Sequence, residues 1–262
     1  MNVYLAGLGS RFLYLKNISN ENTDKLELSD EIFTHDILIL ESFYLIKNNI
    51  ELMKFYKNKG IDILLDSGAF TFLNTKKILQ INWDSYINEY ADFINRWDIK
   101  LFFELDIDSI IGIKEVERLR EKLESLTNKK CIPVWHKNRG KDYFIKICKN
   151  YNYVAIGGLA LKEIPIKIYE KYFPWFIKIA HDNNCKIHAL GYTRLSNLQN
   201  YNFDSVDSTA WLSGSRFGSL YIFDRKTMSL KKIRKRNFHA KYKKIDIHNM
   251  KEWIKFANYL KK

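Results

Sequence analysis

Short runs of β-branched and aromatic residues alternate along the chain with longer amphipathic stretches. Residues that suit buried strands occupy 3–6, 61–65, 100–105, 132–135, 153–156, 186–190 and 203–206. Between these runs, apolar residues keep helical spacing within 83–94, 113–126 and 166–177. Because strand and helix alternate, the pattern predicts a parallel sheet whose strands are joined by helical crossovers.

An eighth strand would close this sheet into a barrel. Two segments, 37–41 and 220–223, are candidates for it, and we prefer a closed barrel to an open doubly wound sheet. The length of 262 residues falls within the size range of one such barrel. We therefore predict an α/β protein with a single (β/α)8 TIM barrel as one domain over residues 1–262. A basic C-terminal extension, residues 226–262, would pack on or beside the barrel.

The charge balance favours a polyanionic partner. Lys and Arg outnumber Asp and Glu by 43 to 30, which gives a formal net charge of +13. Nucleic acid is the first candidate, because a protein that neutralises phosphates releases their counterions. The alternative explanation of the high lysine content is an AT-rich coding genome. Segment 226–244 is dense in Lys and Arg. It is either a solvated hairpin and loop or a patch that contacts a nucleic-acid backbone. The candidate phosphate-contacting residues are Arg194, Arg216, Lys231, Lys232, Arg234 and Arg236.

The cysteines indicate a reduced intracellular protein. Cys131, Cys148 and Cys185 are odd in number and lie in apolar surroundings. No pair has C-x-x-C spacing, and metal ligands usually come in tighter local clusters than these cysteines would make with His136 and His188, so we expect no metal site. We expect no other cofactor. The N-terminus lacks a basic leader before a long apolar run, and no apolar stretch is long enough to span a bilayer. These features predict a cytoplasmic protein with no membrane partner.

Polar residues follow four of the predicted strands, where an α/β barrel gathers its reacting groups. The four strand ends lie within 64–70, 102–108, 154–160 and 203–208. Each has a plain structural interpretation, since a strand-end aspartate can cap a helix and a Gly-Gly pair can form a tight turn. Together, with Asp66 and Asp207 as two well-separated carboxylates, they suggest acid/base or covalent chemistry at a sugar carbon or a carbonyl.

The same four strand ends resemble the motifs of a known family. LDSGAF at 65–70 resembles D-S-G-G-[FY], and AIGGLA at 155–160 resembles I-G-G-L-A. HALG at 188–191 resembles [YH]-L-M-G, and FDSVDS at 203–208 resembles I-D-M-F-D-C. In content and order these are similar to the queuine and archaeosine tRNA-guanine transglycosylases and to their DNA-modifying relatives from phages and genomic islands. The resemblance runs from about residue 62 to residue 218.

The resemblance implies roles for two aspartates. Asp207 aligns with the family's nucleophile, which attacks C1′ of the target nucleoside and expels guanine to leave a glycosyl-enzyme. Asp66 aligns with the acid/base residue, which would protonate the outgoing base and accept a proton from the incoming one. Asp204 is the near rival of Asp207, but the family assigns covalent chemistry to the second aspartate of this motif.

The resemblance also implies a pocket for guanine. Asp106 would accept hydrogen bonds from N1-H and the exocyclic amine, and Gly158 and Leu159 would offer main-chain groups to the far edge of the base. Phe70 and Leu190 would sandwich the ring. The complete set of substrate-binding candidates is Ser67, Gly68, Phe70, Asp106, His136, Gly157, Gly158, Leu159, Leu190 and Gly191.

Several departures from the family pattern point to one of its branches. Ala69 replaces a glycine, and His136 stands where tRNA enzymes carry a base-reading glutamine, which leaves the incoming base open. The zinc signature C-x-C-x-x-C is missing. The short chain and its basic C-terminal segment are more like the DNA-acting branch. An enzyme of this branch would place a 7-deazaguanine such as preQ0 into DNA. It would act in the host cytoplasm if a phage encodes it.

Three other functions are open at this point. The first is a tRNA-guanine transglycosylase, with tRNA as the polymer. The second is a non-catalytic, nucleic-acid-binding partner subunit, against which the presence of both Asp66 and Asp207 argues. The third is a glycoside hydrolase or nuclease barrel, which would not need the IGGLA segment beside a D-S-G motif.

Overall fold

The computed structural model describes residues 1–11, 37–68, 81–159, 165–192, 194–234 and 242–261. Eight strands form one parallel sheet in the order β4-β3-β2-β1-β8-β7-β6-β5. A bridge between Phe103 and Ile132 joins its two outer strands, and main-chain hydrogen bonds of 2.8 and 3.1 Å flank it. The sheet is therefore a closed ring, and the chain is a single (β/α)8 TIM barrel. The barrel strands are β1 (Asn2–Ala6), β2 (Ile39–Ser42), β3 (Ile63–Asp66), β4 (Leu101–Phe102), β5 (Val134–Trp135), β6 (Tyr153–Ile156), β7 (Lys186–Ala189) and β8 (Ser205–Ser208).

Of the two candidates for the eighth strand, the earlier one belongs to the barrel, as β2. Segment 220–223 lies instead in an antiparallel hairpin, β9 (Ser219–Asp224) and β10 (Ser229–Arg234). The last barrel strand begins two residues later than its sequence pattern predicts. Strand β8 starts at Ser205, although the main chain of residue 204 already bonds residues 2 and 187 of the neighbouring strands.

Helices follow the strands as the apolar spacing predicts. The described helices are α1 (Phe43–Ile46), α2 (Ile50–Asn58), α3 (Trp83–Trp97), α4 (Asp108–Ile111), α5 (Ile113–Thr127), α6 (Gly140–Asn150), α7 (Ile166–Asp182), α8 (Ser213–Phe217) and α9 (Tyr242–Leu260). Short 3-10 turns occupy Gly9–Arg11, Lys137–Arg139, Leu198–Asn200 and Ala210–Leu212. None of the helices in the described part of the chain is both long and apolar enough to cross a bilayer.

The C-terminal helix completes the outer layer of the barrel. It packs against β1 and the β9–β10 hairpin, and it buries Trp253 and Met250 in the main hydrophobic core. The amino terminus of Met1 donates a hydrogen bond to the carbonyl of Leu260 at 2.8 Å. The end of the predicted C-terminal extension is thus packed onto the barrel and ties the two ends of the chain together.

The interior of the barrel decides where the site forms. Its apolar filling comes from inward-facing strand residues, namely Tyr4, Ala6, Leu40, Leu64, Phe103, Ile132, Val134 and Ala155. Side chains alternate between the two faces of a strand, so the residue two positions beyond an inward one also faces inward. Two residues beyond Leu64 stands Asp66, and two beyond Val134 stands His136. The strand period thus carries these polar side chains to the mouth of the barrel.

Candidate active site

Three carboxylates from three strands meet at the C-terminal mouth of the barrel. Asp66 ends β3, Asp106 lies beyond β4, and Asp207 lies within β8. They are close enough that the charges on Asp106 and Asp207 both act on Asp66. The structure therefore brings together the two aspartates predicted to be catalytic and the aspartate predicted to read the base.

Asp66 has the electrostatics of a group that exchanges protons near neutral pH. Burial raises the pKa of Asp66 to about 7, and the neighbouring charges of Asp106 and Asp207 contribute to the rise. The main-chain N–H groups of Gly68 and Ser67 bond its carboxylate and lower the pKa in part. Part of the residue is open at the mouth, while its carboxyl is surrounded by protein. A carboxyl with such a pKa suits general acid/base catalysis.

Asp207 is held by one of its two carboxylate oxygens. Oδ1 accepts a hydrogen bond from the main-chain N–H of Gly191 at 2.6 Å and lies 3.2 Å from Nε2 of His188. Among the described residues, no hydrogen bond to Oδ2 is recorded. Asp207 is 7% exposed, so the carboxylate is fixed in place with one oxygen available.

The side chains that stand behind Asp207 were not predicted to belong to the site, although His188 opens the HALG segment. His188 is fully buried in the barrel interior, and its Nδ1 lies 2.5 Å from Oγ of Ser205. The same Oγ lies 2.5 Å from the hydroxyl of Tyr153. The strand period holds the signal that would have found them: Ser205 stands two residues before Asp207, and His188 is its register partner on β7.

Asp106 lies beside His136, the residue predicted to replace a base-reading glutamine. Oδ2 of Asp106 and Nε2 of His136 are 3.4 Å apart, and His136 is buried. The carboxylate and the imidazole offer an acceptor and a titratable group on one side of the mouth.

A buried ion network fixes the two loops that carry this pair. Glu104 accepts hydrogen bonds from Arg139 at 2.6 Å, from Arg120 at 3.0 Å and from the main-chain N–H of Val134 at 2.8 Å. Arg139 also bonds Asp108 at 2.8 Å. Glu104 faces away from the barrel interior, so this strand-end carboxylate belongs to the framework and not to the mouth.

Gly68 shows why the D-S-G segment needs a glycine. Its φ is +78°, and a Cβ at this position would stand 2.5 Å from Cβ of Tyr44 and 2.8 Å from Oγ of Ser42. Ser67 is fully buried, and its carbonyl accepts a hydrogen bond from the Tyr86 hydroxyl at 2.6 Å. The loop after Asp66 is therefore closely packed and presents main-chain groups to the mouth.

The remaining pocket candidates are partly occupied by the fold. Gly157 uses its N–H on the Trp135 carbonyl at 2.8 Å and its carbonyl on the Tyr169 hydroxyl at 3.3 Å. Leu159 is 8% exposed and belongs to the main core. Leu190 packs against the apolar filling of the barrel, next to Gly191. Gly158 follows Gly157 at the end of β6, and Phe70 lies outside the described residues.

Asp204, the rival nucleophile, lies at the opposite end of the barrel. Its Oδ2 accepts hydrogen bonds from the main-chain N–H of Ile187 at 2.8 Å and lies 3.0 Å from Nε2 of His181. Because it precedes β8 while Asp207 lies near the strand's end, the two aspartates cannot share a site. The structure leaves Asp207 as the carboxylate of this motif that faces the mouth.

The structure describes the side chains of three of the candidate nucleic-acid-binding residues, Arg194, Lys231 and Lys232. Arg194 pairs with Glu170 at 2.8 Å, and Lys231 pairs with Asp224 at 2.5 Å. Lys232 is exposed and lies 5.7 Å from the centre of the Tyr221 ring. The side chains of Arg216 and Arg234, and all of Arg236, lie outside the described part of the chain.

Two further features lie away from the mouth. A cavity of about 290 Å³ opens at the N-terminal ends of β3 and β4, where its lining includes Lys57, Arg96 and Trp97, and it is remote from the carboxylates. The three cysteines are free and buried. Among the described residues, no group of three or more His, Cys, Asp or Glu side chains is arranged to hold a metal ion.

Fold and site together define an α/β barrel with a carboxylate cluster at its mouth. Comparison with protein-family models and with curated proteins found no match. Among solved structures, the chain is similar to CutC from Streptococcus agalactiae, provisionally described as a copper homeostasis protein. The TM-score is 0.43 at 15% identity, over 70% of this chain and 94% of that one. It is also similar to a Coccidioides immitis protein provisionally described as a fructose-1,6-bisphosphate aldolase, with a TM-score of 0.48 at 10% identity, over 99% of this chain and 87% of that one. Both likenesses concern the fold alone.

Proposed function

We propose that this barrel is a base-exchange transglycosylase, a pentosyltransferase that replaces guanine in DNA with a 7-deazaguanine base such as preQ0. The observation that carries the proposal is the pairing of Asp207 with Asp66 at the mouth. One carboxylate has an oxygen available and is otherwise fixed, and the other has a pKa raised to about 7. Covalent base exchange needs one group of each kind.

The proposed chemistry is two displacements at C1′ of the target nucleoside. Oδ2 of Asp207 bonds to C1′ as the bond from C1′ to guanine breaks, and the leaving base takes the proton that Asp66 holds. The incoming base then returns a proton to Asp66 and bonds to C1′ as the bond from C1′ to Asp207 breaks. Both the protonation state of Asp66 and the configuration at C1′ are restored, so the cycle needs no cofactor.

Recognition of the base is assigned to the side of the mouth that carries Asp106 and His136. A carboxylate matches the two adjacent donors of a guanine edge, and Asp106 is held in place through the Glu104 network. His136, at 3.4 Å from Asp106, would contact the base beside that same edge.

DNA is the proposed polymer because the chain carries a net charge of +13 and lacks the zinc signature of the tRNA-acting branch. The enzyme would bind duplex DNA through its phosphates and would have to extrude a deoxyguanosine to reach the mouth. It would act in the cytoplasm, or in the host cytoplasm if a phage encodes it. A tRNA substrate is the second outcome that the experiment distinguishes.

The test is incorporation of radiolabelled preQ0 into duplex DNA and into tRNA by the purified chain. We expect label in DNA, together with a protein–DNA adduct that survives denaturation. Asp207→Asn should give neither, while its melting temperature should stay close to that of the wild type. Asp204→Asn is the matched control, since this aspartate lies in the same motif at the other end of the barrel, and it should still form the adduct.

Each outcome decides a part of the proposal. Label in tRNA and not in DNA would keep the reaction and change the polymer. Release of free guanine with no label taken up would indicate a hydrolase. An adduct that forms with Asp207→Asn would remove Asp207 from its role.

A further inference from the structure

Behind the mouth, four side chains form a continuous line of hydrogen bonds inside the barrel. The Tyr153 hydroxyl, Ser205 Oγ and His188 Nδ1 are separated by 2.5 Å at each step, and His188 Nε2 lies 3.2 Å from Asp207 Oδ1. The line runs through β6, β8 and β7 and ends on the proposed nucleophile. A side-chain network of this kind inside an apolar interior stabilises the fold only if every member has its hydrogen-bond partners.

The donors and acceptors of the line fit together in one direction. The carboxylate of Asp207 can only accept, so the hydrogen must lie on Nε2 of His188. In a neutral imidazole Nδ1 then accepts, so Ser205 Oγ donates to it, and Tyr153 donates to Ser205 Oγ. Burial raises the pKa of Tyr153 above its usual range, which keeps its hydroxyl protonated as a donor.

The reverse direction leaves a donor unused. A protonated His188 would donate from Nδ1 to Ser205, while Tyr153 donates to the second lone pair of the same oxygen. The hydroxyl hydrogen of Ser205, which is fully buried, would then need another acceptor, and the described contacts of this oxygen are with His188 and Tyr153 alone. An unsatisfied donor at this depth has a free-energy cost of about 1–3 kcal/mol.

We propose that Tyr153 and Ser205 lock His188 in its neutral Nε2–H tautomer, and that His188 thereby acts as a positioning residue for Asp207. Together with the Gly191 N–H, His188 occupies Oδ1 of Asp207, so Oδ2 is the oxygen that attacks C1′. Once the ester forms, Oδ1 becomes its carbonyl oxygen and keeps both donors. The kinetic role rests on the proposed base exchange, whereas the tautomer does not.

The groups that face His188 allow a matched control. Tyr4 of β1 presents its ring at 6.0 Å from the imidazole, and Phe103 of β4 presents an uncharged ring at 5.4 Å. The other facing groups are Asp207 and Tyr153, which belong to the line. Tyr4→Phe removes an interior hydroxyl near His188 but none of the hydrogen bonds of the line, while Tyr153→Phe and Ser205→Ala each break it.

The tautomer is measured directly by 15N NMR of histidine-labelled protein, with His188 assigned by elimination through single substitutions of the other histidines. We expect the Nε2–H form in the wild type and in Tyr4→Phe at pH 7. Ser205→Ala should lose this fixed form, and Tyr153→Phe should weaken it. An Nδ1–H form or an imidazolium in the wild type at pH 7 would overturn the proposal.

Kinetics test the positioning role. Ser205→Ala should lower kcat for base exchange roughly tenfold with little change in KM. Its pH profile should also differ from that of the wild type, because the imidazole is no longer held in one protonation state. Tyr4→Phe should keep the wild-type kcat and pH profile. An unchanged kcat and pH profile in Ser205→Ala would refute the positioning role. Wild-type protein that shows the Nε2–H signature but exchanges no base would refute the proposed function and leave the lock itself confirmed.

Discussion

The imidazole of His136 packs directly against Cα of Gly157. A Cβ added at Gly157 would stand 2.6 Å from Nε2 of His136 and 2.8 Å from Cγ1 of Val134, distances at which real atoms clash. The two residues extend β5 and β6, adjacent strands of the barrel. Glycine at this position therefore leaves room for His136 beside Asp106. The first glycine of the Gly-Gly pair acts through packing, since its own N–H and carbonyl are used by the fold.

Replacement of Gly157 by alanine should displace His136. We expect a loss of stability of about 1–3 kcal/mol from overpacking and a large loss of base exchange, because His136 would leave Asp106. The double variant Gly157→Ala/His136→Ala should recover part of the stability and none of the activity, as urea unfolding and label incorporation would show. Full stability in Gly157→Ala alone would contradict this packing.

The ionised carboxylate of Asp66 should lower the free energy of unfolding in a pH-dependent way, although base exchange needs this residue. Its pKa of about 7 in the folded protein lies above the value of about 3.9 in an unfolded chain. Between these pH values the folded state binds more protons than the unfolded state, so the contribution of Asp66 to stability falls as pH rises. The destabilisation by its ionised carboxylate reaches its full size above about pH 7. Asp66→Asn should therefore abolish exchange yet stabilise the protein at pH 8 by about 2 kcal/mol.

The measurement for Asp66→Asn is the free energy of unfolding in urea at pH 4 and at pH 8. The stabilisation should be small at pH 4, where Asp66 is protonated in the folded state. Asp92→Asn is the control, since Asp92 is an exposed residue of α3, and it should change stability little at either pH. Equal effects of Asp66→Asn at both pH values would rule out the raised pKa.

Glu104 should be the most costly carboxylate to neutralise outside the mouth. Glu104→Gln leaves Arg139 and Arg120 without their shared anion in a buried site, and breaking a buried pair typically costs about 3 kcal/mol or more. Because the network joins the loops that carry Asp106 and His136, base binding should weaken as well. Asp182→Asn breaks an exposed pair with Lys178 and should cost less than about 0.5 kcal/mol. Similar melting temperatures for the two variants would contradict a framework role for Glu104.

Most of the barrel, and the position of Asp66 and Asp207 at its mouth, could be predicted from the sequence, for a simple physical reason. Strands buried on both faces are continuous apolar runs, and the residues that follow them are exposed at one end of the sheet. Asp66 and Asp207 stand out for this reason, since each follows or ends such a run. Asp204 shows the limit of the pattern: it lies in the same motif, but its place at the start of β8 depends on where the strand begins.

The residues that the sequence did not reveal are those whose role depends on a neighbouring strand. His188 meets Ser205 because β7 and β8 are in register, and one sequence carries no direct record of that register. Glu104 looked like Asp66, a carboxylate after an apolar run. Only the fold shows that it faces away from the interior, because a shift of one residue along a strand reverses the face.

The basic hairpin β9–β10 gives the last prediction, which concerns the polymer. A variant with serine at Lys231, Lys232, Arg234 and Arg236 should bind all target sequences more weakly and show a flatter salt dependence. Each lost phosphate contact lowers the slope of log K against log salt by about 0.7 to 0.9. Exchange at saturating nucleic acid should survive, since none of these residues aligns with the proposed pocket.

The ion pair between Lys231 and Asp224 sharpens this experiment. A phosphate would have to compete with Asp224 for Lys231, whereas the described contacts of Lys232 are with an uncharged ring. Lys232→Ser should therefore flatten the slope more than Lys231→Ser does. Asp224→Asn should strengthen binding at low salt, because it releases a cation towards the polymer. Lys178→Ser is the control, because it removes a lysine of α7 that is also paired with a carboxylate. If Lys178→Ser changes the salt slope as much as Lys232→Ser does, net charge alone, and not this hairpin, governs binding.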